Sequence, residues 1–301
     1  MRFANFHTHT EFCDGTGTPE DYCREALKAG LAALGFSAHA PLTASPVPVT
    51  NWHLPARRFP EYRAAVHACK ETYAGRLPVF LGLEADYIAG IQSPRDYAGR
   101  GLDYLIGSVH CVIPPHFLQE AGRSPQDFFT KAGGMLCIDG TPEEWVFLVD
   151  AFFAGNVWAL VDAYWEQQLL MIETGGFDIL GHSDLIKKNN LPGLIPRRCL
   201  FDETDIRYTR CLTRIADALA GSGITAEINT GGINRGRTTE TYPSAAFLHL
   251  LCERGVPITI NSDAHAPEQV AGGYAAAVQT ARTAGYTEAC LKQPFTPGIK
   301  D

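Results

Sequence analysis

The sequence predicts an α/β protein in which repeated β/α units form a barrel. Short apolar runs that end in polar residues recur along the chain, and longer stretches with helical spacing separate them. The chain has 301 residues, and β/α barrels of roughly 250 residues are routinely one domain. We therefore expect a single catalytic domain over residues 1–301.

Seven apolar runs are predicted to be strands, because each is short, apolar and followed by polar residues. These runs are Phe3–Phe6, Ala32–Phe36, Val79–Leu83, Tyr104–Val109, Asp178–Leu180, Ala226–Ile228 and Ile258–Ile260.

Helices are predicted between the strands. The first, Thr18–Ala29, opens with a Thr-Pro start signal and ends before Gly30, as helix caps require. Two long connections, 41–60 and 114–140, are predicted to be lid-like loops over the mouth of the barrel. The other predicted helices are Pro60–Tyr73, Pro142–Val161, Tyr164–Thr174, Asp202–Ala220, Pro243–Glu253 and Val270–Ala284.

The composition argues against several classes of protein. The net charge is -8 and no run of Lys or Arg is typical of a nucleic-acid-binding surface, which does not favour binding to nucleic acid. No apolar stretch is long enough to span a membrane or to serve as a signal peptide. The nine cysteines are scattered without a C-x-x-C pair, as expected for reduced thiols. We expect a cytoplasmic protein with no membrane or nucleic-acid partner, and the oligomeric state is not indicated.

Histidines and carboxylates follow the predicted strands. The carboxyl ends of the strands in a parallel barrel open on one face, so side chains at these positions should converge there although they are distant in sequence. The eight residues at these positions are His7, His9, His39, Glu84, His110, His182, Asp263 and His265.

The spacing of these residues indicates a metal site. His7 and His9 are two residues apart, so a strand would place both on one face, and Asp263 and His265 repeat this spacing. Glu84 between imidazoles could bridge two ions, as in two-metal hydrolysis. Imidazole and carboxylate ligands without thiolate suit zinc, manganese or iron, and ligand type does not choose among them.

The chain resembles the PHP (polymerase and histidinol phosphatase) superfamily and, within it, the monofunctional histidinol-phosphatases. The resemblance spans nearly the whole chain, and it implies a distorted (β/α)7 TIM-like barrel with three divalent metal ions. The segments that carry it are FHTHTEFCDG, GFSAHAPL, FLGLEADYI, DYLIGSVHCV, FDILGHSDLIKKNN, AEINTGGINRG and ITINSDAHAPEQV.

The resemblance also implies which residues hold each ion. The first ion would bind His7, His9, Glu84 and Asp263. Glu84 would bridge to a second ion held by His110 and His182, and a third would bind Asp14, His39 and His265.

Other residues are candidates for contact with a substrate. The resemblance implies a basic side chain for the substrate phosphate in the loop after the sixth strand, where Arg235 and Arg237 are the candidates. Lys187, soon after His182, is a further candidate. His53 and His116 lie in predicted loops and could also touch a substrate.

We therefore predict a metal-dependent phosphomonoesterase in which Glu84, Asp263 and His265 act in catalysis. The leading hypothesis is hydrolysis of L-histidinol phosphate to L-histidinol and phosphate in histidine biosynthesis. The alternatives are a related phosphoesterase acting on a nucleotide or sugar phosphate, a nuclease, and a non-catalytic metal-binding protein. The acidic charge argues against the nuclease, because strand binding needs a basic, aromatic-lined groove.

Overall fold

Seven parallel strands form one sheet in chain order in the computed structural model, which describes residues 3–42, 50–287 and 290. All seven predicted strands are confirmed. The strands are β1 (Ala4–Asn5), β2 (Ala33–Phe36), β3 (Val79–Asp86), β4 (Tyr104–Ser108), β5 (Ile179–Leu180), β6 (Thr225–Asn229) and β7 (Ile258–Asn261).

Helices connect the strands along the outside of the sheet. The predicted start of α1 is confirmed, because Thr18 and Asp21 form a reciprocal capping box. No single helix within the described residues is long and apolar enough to cross a membrane. Helices α5 (Pro142–Phe152) and α6 (Val157–Thr174) reach that length and composition only as a pair, and they are bent by 97° where they meet. The helices are α1 (Pro19–Ala29), α2 (Phe59–Thr72), α3 (His116–Gln119), α4 (Pro125–Ala132), α5 (Pro142–Phe152), α6 (Val157–Thr174), α7 (Ile206–Leu219), α8 (Gly231–Asn234), α9 (Ala245–Glu253) and α10 (Tyr274–Thr283).

The break between α5 and α6 is not where the sequence analysis placed it. The predicted helix to Val161 is wrong: α5 ends at Phe152, and α6 begins at Val157. Ala154 and Gly155 have φ angles of 53° and 73°, which a right-handed helix cannot contain. The side chain of Asn156 then accepts hydrogen bonds from the first backbone amides of α6, as an N-cap does.

Hydrogen bonds of residues in and just after β1 and β7 join the two edges of the sheet. The backbone amide of His9 donates to the carbonyl of Ala264 at 2.8 Å. Below this bridge, the Asn5 side-chain amide donates to Ser262 Oγ at 2.7 Å, and the Phe6 amide donates to Asn261 Oδ1 at 2.8 Å. The first and last parts of the chain are therefore joined beside the predicted metal ligands.

Tyr104 fills the floor of the barrel. It packs with apolar residues of β1, β4 and β5 in a small cluster, separate from the larger core under the helices. Its hydroxyl donates to the carbonyl of Phe6 at 2.6 Å and lies 3.0 Å from that of Phe36. A Cβ atom on Gly35 or Gly82 would lie 2.4 or 2.5 Å from Tyr104, so both positions need glycine. The open space of the barrel is therefore at its mouth.

The two predicted lid-like segments differ in structure. Segment 114–140 contains α3 and α4, so its description as a loop is wrong in part. Its end returns to the mouth of the barrel, where the Ile138 amide donates to the carbonyl of His110 at 2.9 Å. In segment 41–60, residues 43–49 lie outside the described residues. The function of both segments as lids stays a prediction.

Candidate metal centre

The predicted ligands converge at the mouth of the barrel. His7 and His9 follow β1, Glu84 lies within β3, and Asp263 and His265 follow β7. The loops after β2, β4 and β5 supply the remaining three histidines, and the loop after β1 supplies Asp14. Most of these side chains are buried, whereas those of Asp14 and His265 are 29% and 24% exposed. The mouth is therefore open to solvent on the side of Asp14.

Glu84 lies at the centre of this cluster. Its Oε2 atom is 3.2 Å from His7 Nε2 and 3.0 Å from His39 Nδ1. Its Oε1 atom is 2.8 Å from His182 Nε2 and 3.6 Å from His110 Nε2. His9 Nε2 also lies 3.5 Å from Oε2, so the two carboxylate oxygens face different sets of imidazoles, which is the arrangement that a bridging carboxylate needs.

Four buried atoms of the cluster have no hydrogen-bond partner among the described residues. They are His7 Nε2, His9 Nε2, His39 Nδ1 and Glu84 Oε2. An unsatisfied buried polar atom costs about 1–3 kcal/mol, so several at one point indicate a missing common partner. Imidazole nitrogens around a carboxylate, with no thiolate, are ligands of zinc, manganese and iron. The residues therefore fit divalent metal ions.

The potential ligand atoms form four groups within the described residues, and in each group all atoms lie within 4.8 Å of one another. Three of these groups resemble the predicted ligand sets. Asp263 adjoins the first group, because its Oδ1 atom is 3.2 Å from His9 Nε2. These three groups are His7, His9 and Glu84; Glu84, His110 and His182; and His9, Asp14, His39 and His265, and the fourth group is His39, Asp86 and His110. His9 thus belongs to two groups, whereas the resemblance placed it in the first alone.

The electrostatics of the site keep its carboxylates ionised. Burial opposes the charge on Glu84, but His7 and His39 hold its pKa well below the usual range. Burial likewise opposes the charge on Asp263, and Arg235 and His7 hold its pKa well below the usual range. Both groups are therefore anions that can bind cations.

Glu227 on β6 was missed by the sequence analysis. His7 Nδ1 donates to Glu227 Oε1 at 2.7 Å, and both side chains are fully buried. Because this contact places a proton on Nδ1, a His7 ring that binds a metal ion would present the lone pair of Nε2 to it. The segment AEINTGG contained Glu227, and a carboxylate within a buried strand was the signal that could have identified it.

Asp86 is a second missed residue and acts on His110. It lies two residues after Glu84 on β3, a spacing that places both on one face of the strand. Its Oδ1 atom is 2.7 Å from His110 Nδ1, and its Oδ2 atom is 2.9 Å from His53 Nε2. The spacing from Glu84 was sufficient to predict it. His53 therefore contacts this carboxylate, whereas His116, the other loop candidate, begins α3.

The three candidate phosphate ligands have different surroundings. The Arg235 side chain is 34% exposed and lies at the edge of the metal centre, with Nη2 3.2 Å from Asp263 Oδ2 and Nη1 2.9 Å from His265 Nδ1. Arg237 is exposed. Lys187 forms ion pairs at 3.0 Å with two glutamates of neighbouring loops, which balance its charge. The geometry thus favours Arg235, and the assignment of a phosphate ligand stays a prediction.

The model of the PHP domain family matches residues 5–231 of the chain. The chain belongs to the PHP domain family. The match ends before β7 and so does not include Asp263 and His265, whose function as ligands stays a prediction.

Curated relatives of this PHP protein match it over almost their whole length. A probable histidinol-phosphatase of Deinococcus radiodurans is 31% identical over 290 residues, which cover 93% of this chain and 92% of the relative. The histidinol-phosphatase of Bacillus subtilis is 26% identical over 92% of this chain and 98% of its own.

Solved structures share the fold of this PHP protein. A protein from Listeria monocytogenes, described as a candidate histidinol phosphatase, superposes with a TM-score of 0.74 at 22% identity over 91% of this chain and 99% of its own. Histidinol phosphate phosphatase from Lactococcus lactis, complexed with zinc, L-histidinol and phosphate, has a TM-score of 0.61 at 19% identity, with 95% of each chain covered. These likenesses and the seven parallel strands confirm the distorted (β/α)7 barrel.

Proposed function

We propose that this PHP protein is a metal-dependent phosphomonoesterase that hydrolyses L-histidinol phosphate to L-histidinol and phosphate. The observation that carries this proposal is the convergence of unpartnered imidazole nitrogens on the carboxylate of Glu84. The names of the curated relatives supply the substrate, because those relatives match over more than nine-tenths of this chain.

Three divalent ions are proposed, each held by one ligand group, with Glu84 shared between two of them. Zinc is present in the Lactococcus lactis structure, and manganese and iron suit the same ligands. Such ions, when bound, lower the pKa of water and neutralise charge on phosphoryl oxygens. The protein's own contribution is to hold its ligands in fixed orientation, which Glu227 does for His7 and Asp86 does for His110.

Arg235 and His265 are proposed to act on the phosphate ester. The Arg235 guanidinium lies against Asp263 and His265, where it could also bind an oxygen of the phosphate. Asp263 is held as an anion and does not carry a proton to donate. This argues against Asp263 as the group that transfers a proton to the leaving oxygen, so His265 and a water molecule at the metal centre are the two candidates.

The proposed test combines metal analysis with a panel of substrates. Purified protein is analysed for bound metals, and kcat/KM is measured for L-histidinol phosphate, a nucleotide, a sugar phosphate and O-phosphoethanolamine. We expect bound divalent metal and a preference of about tenfold or more for L-histidinol phosphate, the scale of one well-made contact. An equal or higher rate on another ester would remove L-histidinol phosphate as the substrate.

The remaining partner assignments stay predictions. The small phosphorylated substrate is consistent with the named relatives. We propose that the protein is a cytoplasmic enzyme of histidine biosynthesis that binds neither nucleic acid nor membrane, as the sequence also predicts. Degradation of single-stranded DNA by the purified protein would contradict this.

A further inference from the structure

The segment after residue 50 places a tryptophan at the metal centre. The Trp52 ring centroid lies 4.8 Å from that of His39 and 5.7 Å from that of His110, at angles of 80° and 70°. His39 belongs to the group with Asp14, His110 to the group with His182, and the two histidines also form a group with Asp86. Trp52 is partly exposed, so it offers an apolar surface to a molecule bound at the mouth of the barrel.

A series of hydrogen bonds holds this segment in place. Thr50 Oγ1 is 2.6 Å from His53 Nδ1, and His53 Nε2 is 2.9 Å from Asp86 Oδ2. The other oxygen of Asp86 binds His110 Nδ1 at 2.7 Å. His53 is buried, and both of its ring nitrogens are bonded. The orientation of this histidine is therefore fixed relative to the metal centre.

Trp52 rests on this fixed histidine. The Trp52 and His53 rings have centroids 3.6 Å apart and planes inclined by 30°. The next backbone amide, that of Leu54, donates to the carbonyl of His39 at 3.0 Å. The indole is thus supported from one side by a bonded ring and tied by the backbone to the loop after β2. Such preorganisation lowers the entropy that a ligand contact costs.

We propose that Trp52 is a specificity-determining residue that contacts the imidazole of the substrate. This inference rests on the proposed function. The barrel floor is filled by Tyr104 and its neighbours, so the alcohol part of a bound phosphate ester must lie in the mouth. Aromatic rings pair with centroids about 4.5–7 Å apart, and Trp52 already pairs in this way with His39. A substrate imidazole beside His39 can make the same contact.

The test compares two esters in wild-type protein and two variants. L-histidinol phosphate has an imidazole, whereas O-phosphoethanolamine has the ammonium and phosphate groups without it. In Trp52→Ala we expect KM for L-histidinol phosphate to rise about tenfold, while KM for O-phosphoethanolamine changes less than about twofold. Trp52→Phe keeps a ring and should restore KM to within about threefold of wild type.

A binding measurement separates contact from chemistry. Calorimetry of the metal-loaded protein with L-histidinol should show affinity weakened about tenfold in Trp52→Ala and nearly restored in Trp52→Phe. The matched control is Trp158→Phe. Trp158 lies on α6, and its ring centroid is 3.9 Å from the Arg207 guanidinium carbon. In this control, neither KM for the two esters nor the affinity for L-histidinol should change.

The outcomes distinguish this inference from the proposed function. If wild-type protein does not hydrolyse L-histidinol phosphate, the proposed function fails, and this inference fails with it. If wild-type protein hydrolyses L-histidinol phosphate, Trp52→Ala is compared with it. If the variant has the wild-type ratio of KM values for the two esters and the wild-type affinity for L-histidinol, only the proposed function of Trp52 is overturned.

Discussion

Replacement of Glu227 by glutamine tests how the ligands of the metal centre are held. Four donors meet on this one carboxylate. His7 Nδ1 and the Asn261 side-chain amide bind Oε1 at 2.7 and 2.9 Å, and the His182 backbone amide and the Asn229 side-chain amide bind Oε2, both at 2.9 Å. All four contacts are buried, so no water can replace them.

The expected loss of stability follows from these four hydrogen bonds. Glutamine keeps one acceptor oxygen and turns the other into an amide group, which cannot accept hydrogen bonds. Two buried donors then lose their partner at about 1–3 kcal/mol each, so Glu227→Gln should lower the free energy of unfolding by about 2–6 kcal/mol. His7 also loses the contact that fixes its proton on Nδ1, so metal affinity should fall about 10–100-fold.

Two assays separate these effects. Urea denaturation with a chelator present measures the unfolding free energy without the contribution of bound metal. Competition with a chromophoric chelator measures metal affinity in the folded protein. Glu61→Gln removes one exposed ion pair with Arg58 and should change stability by less than about 0.5 kcal/mol. The reasoning would be refuted if Glu227→Gln matched this control in both assays.

Three further predictions concern the same centre. Glu84→Gln should reduce both bound metal and kcat severely while the fold is kept, as checked by elemental analysis and circular dichroism, and near-normal activity would contradict a shared carboxylate. Asp86→Asn should weaken metal binding about 10–100-fold through His110, measured by chelator competition, and unchanged affinity would contradict its positioning function. Arg235→Ala should mainly raise KM for L-histidinol phosphate, and an unchanged KM would mean that another cation binds the phosphate.

The placement of the ligands could be predicted because it depends on a simple rule of parallel barrels. A residue just after one strand, such as His39, meets a residue just after a distant strand, such as His265, whichever helices lie between them. The short apolar runs located the strand ends closely enough for this rule to apply. Paired spacings, such as that of His7 and His9, then indicated a shared ion.

The residues that orient the ligands were harder to predict. Glu227 lies within a buried strand, and only the fold shows that its carboxylate reaches His7. The break at Ala154 and Gly155 was missed because the flanking residues favour helix on both sides, although Gly-Asn is a helix stop and start signal. Trp52 gave no signal, because its contacts depend on how residues 50–54 fold back onto the loop after β2.

The junction between β1 and β7 has a consequence for biosynthesis. The backbone pairing of His9 with Ala264 joins residues that the ribosome makes more than 250 positions apart. Most of the chain must leave the exit tunnel before the histidines near the amino terminus acquire their acidic neighbour from the other end. Nascent chains that stop short of residue 263 should therefore bind cations poorly, and the metal centre should fill only when synthesis of the chain is nearly finished.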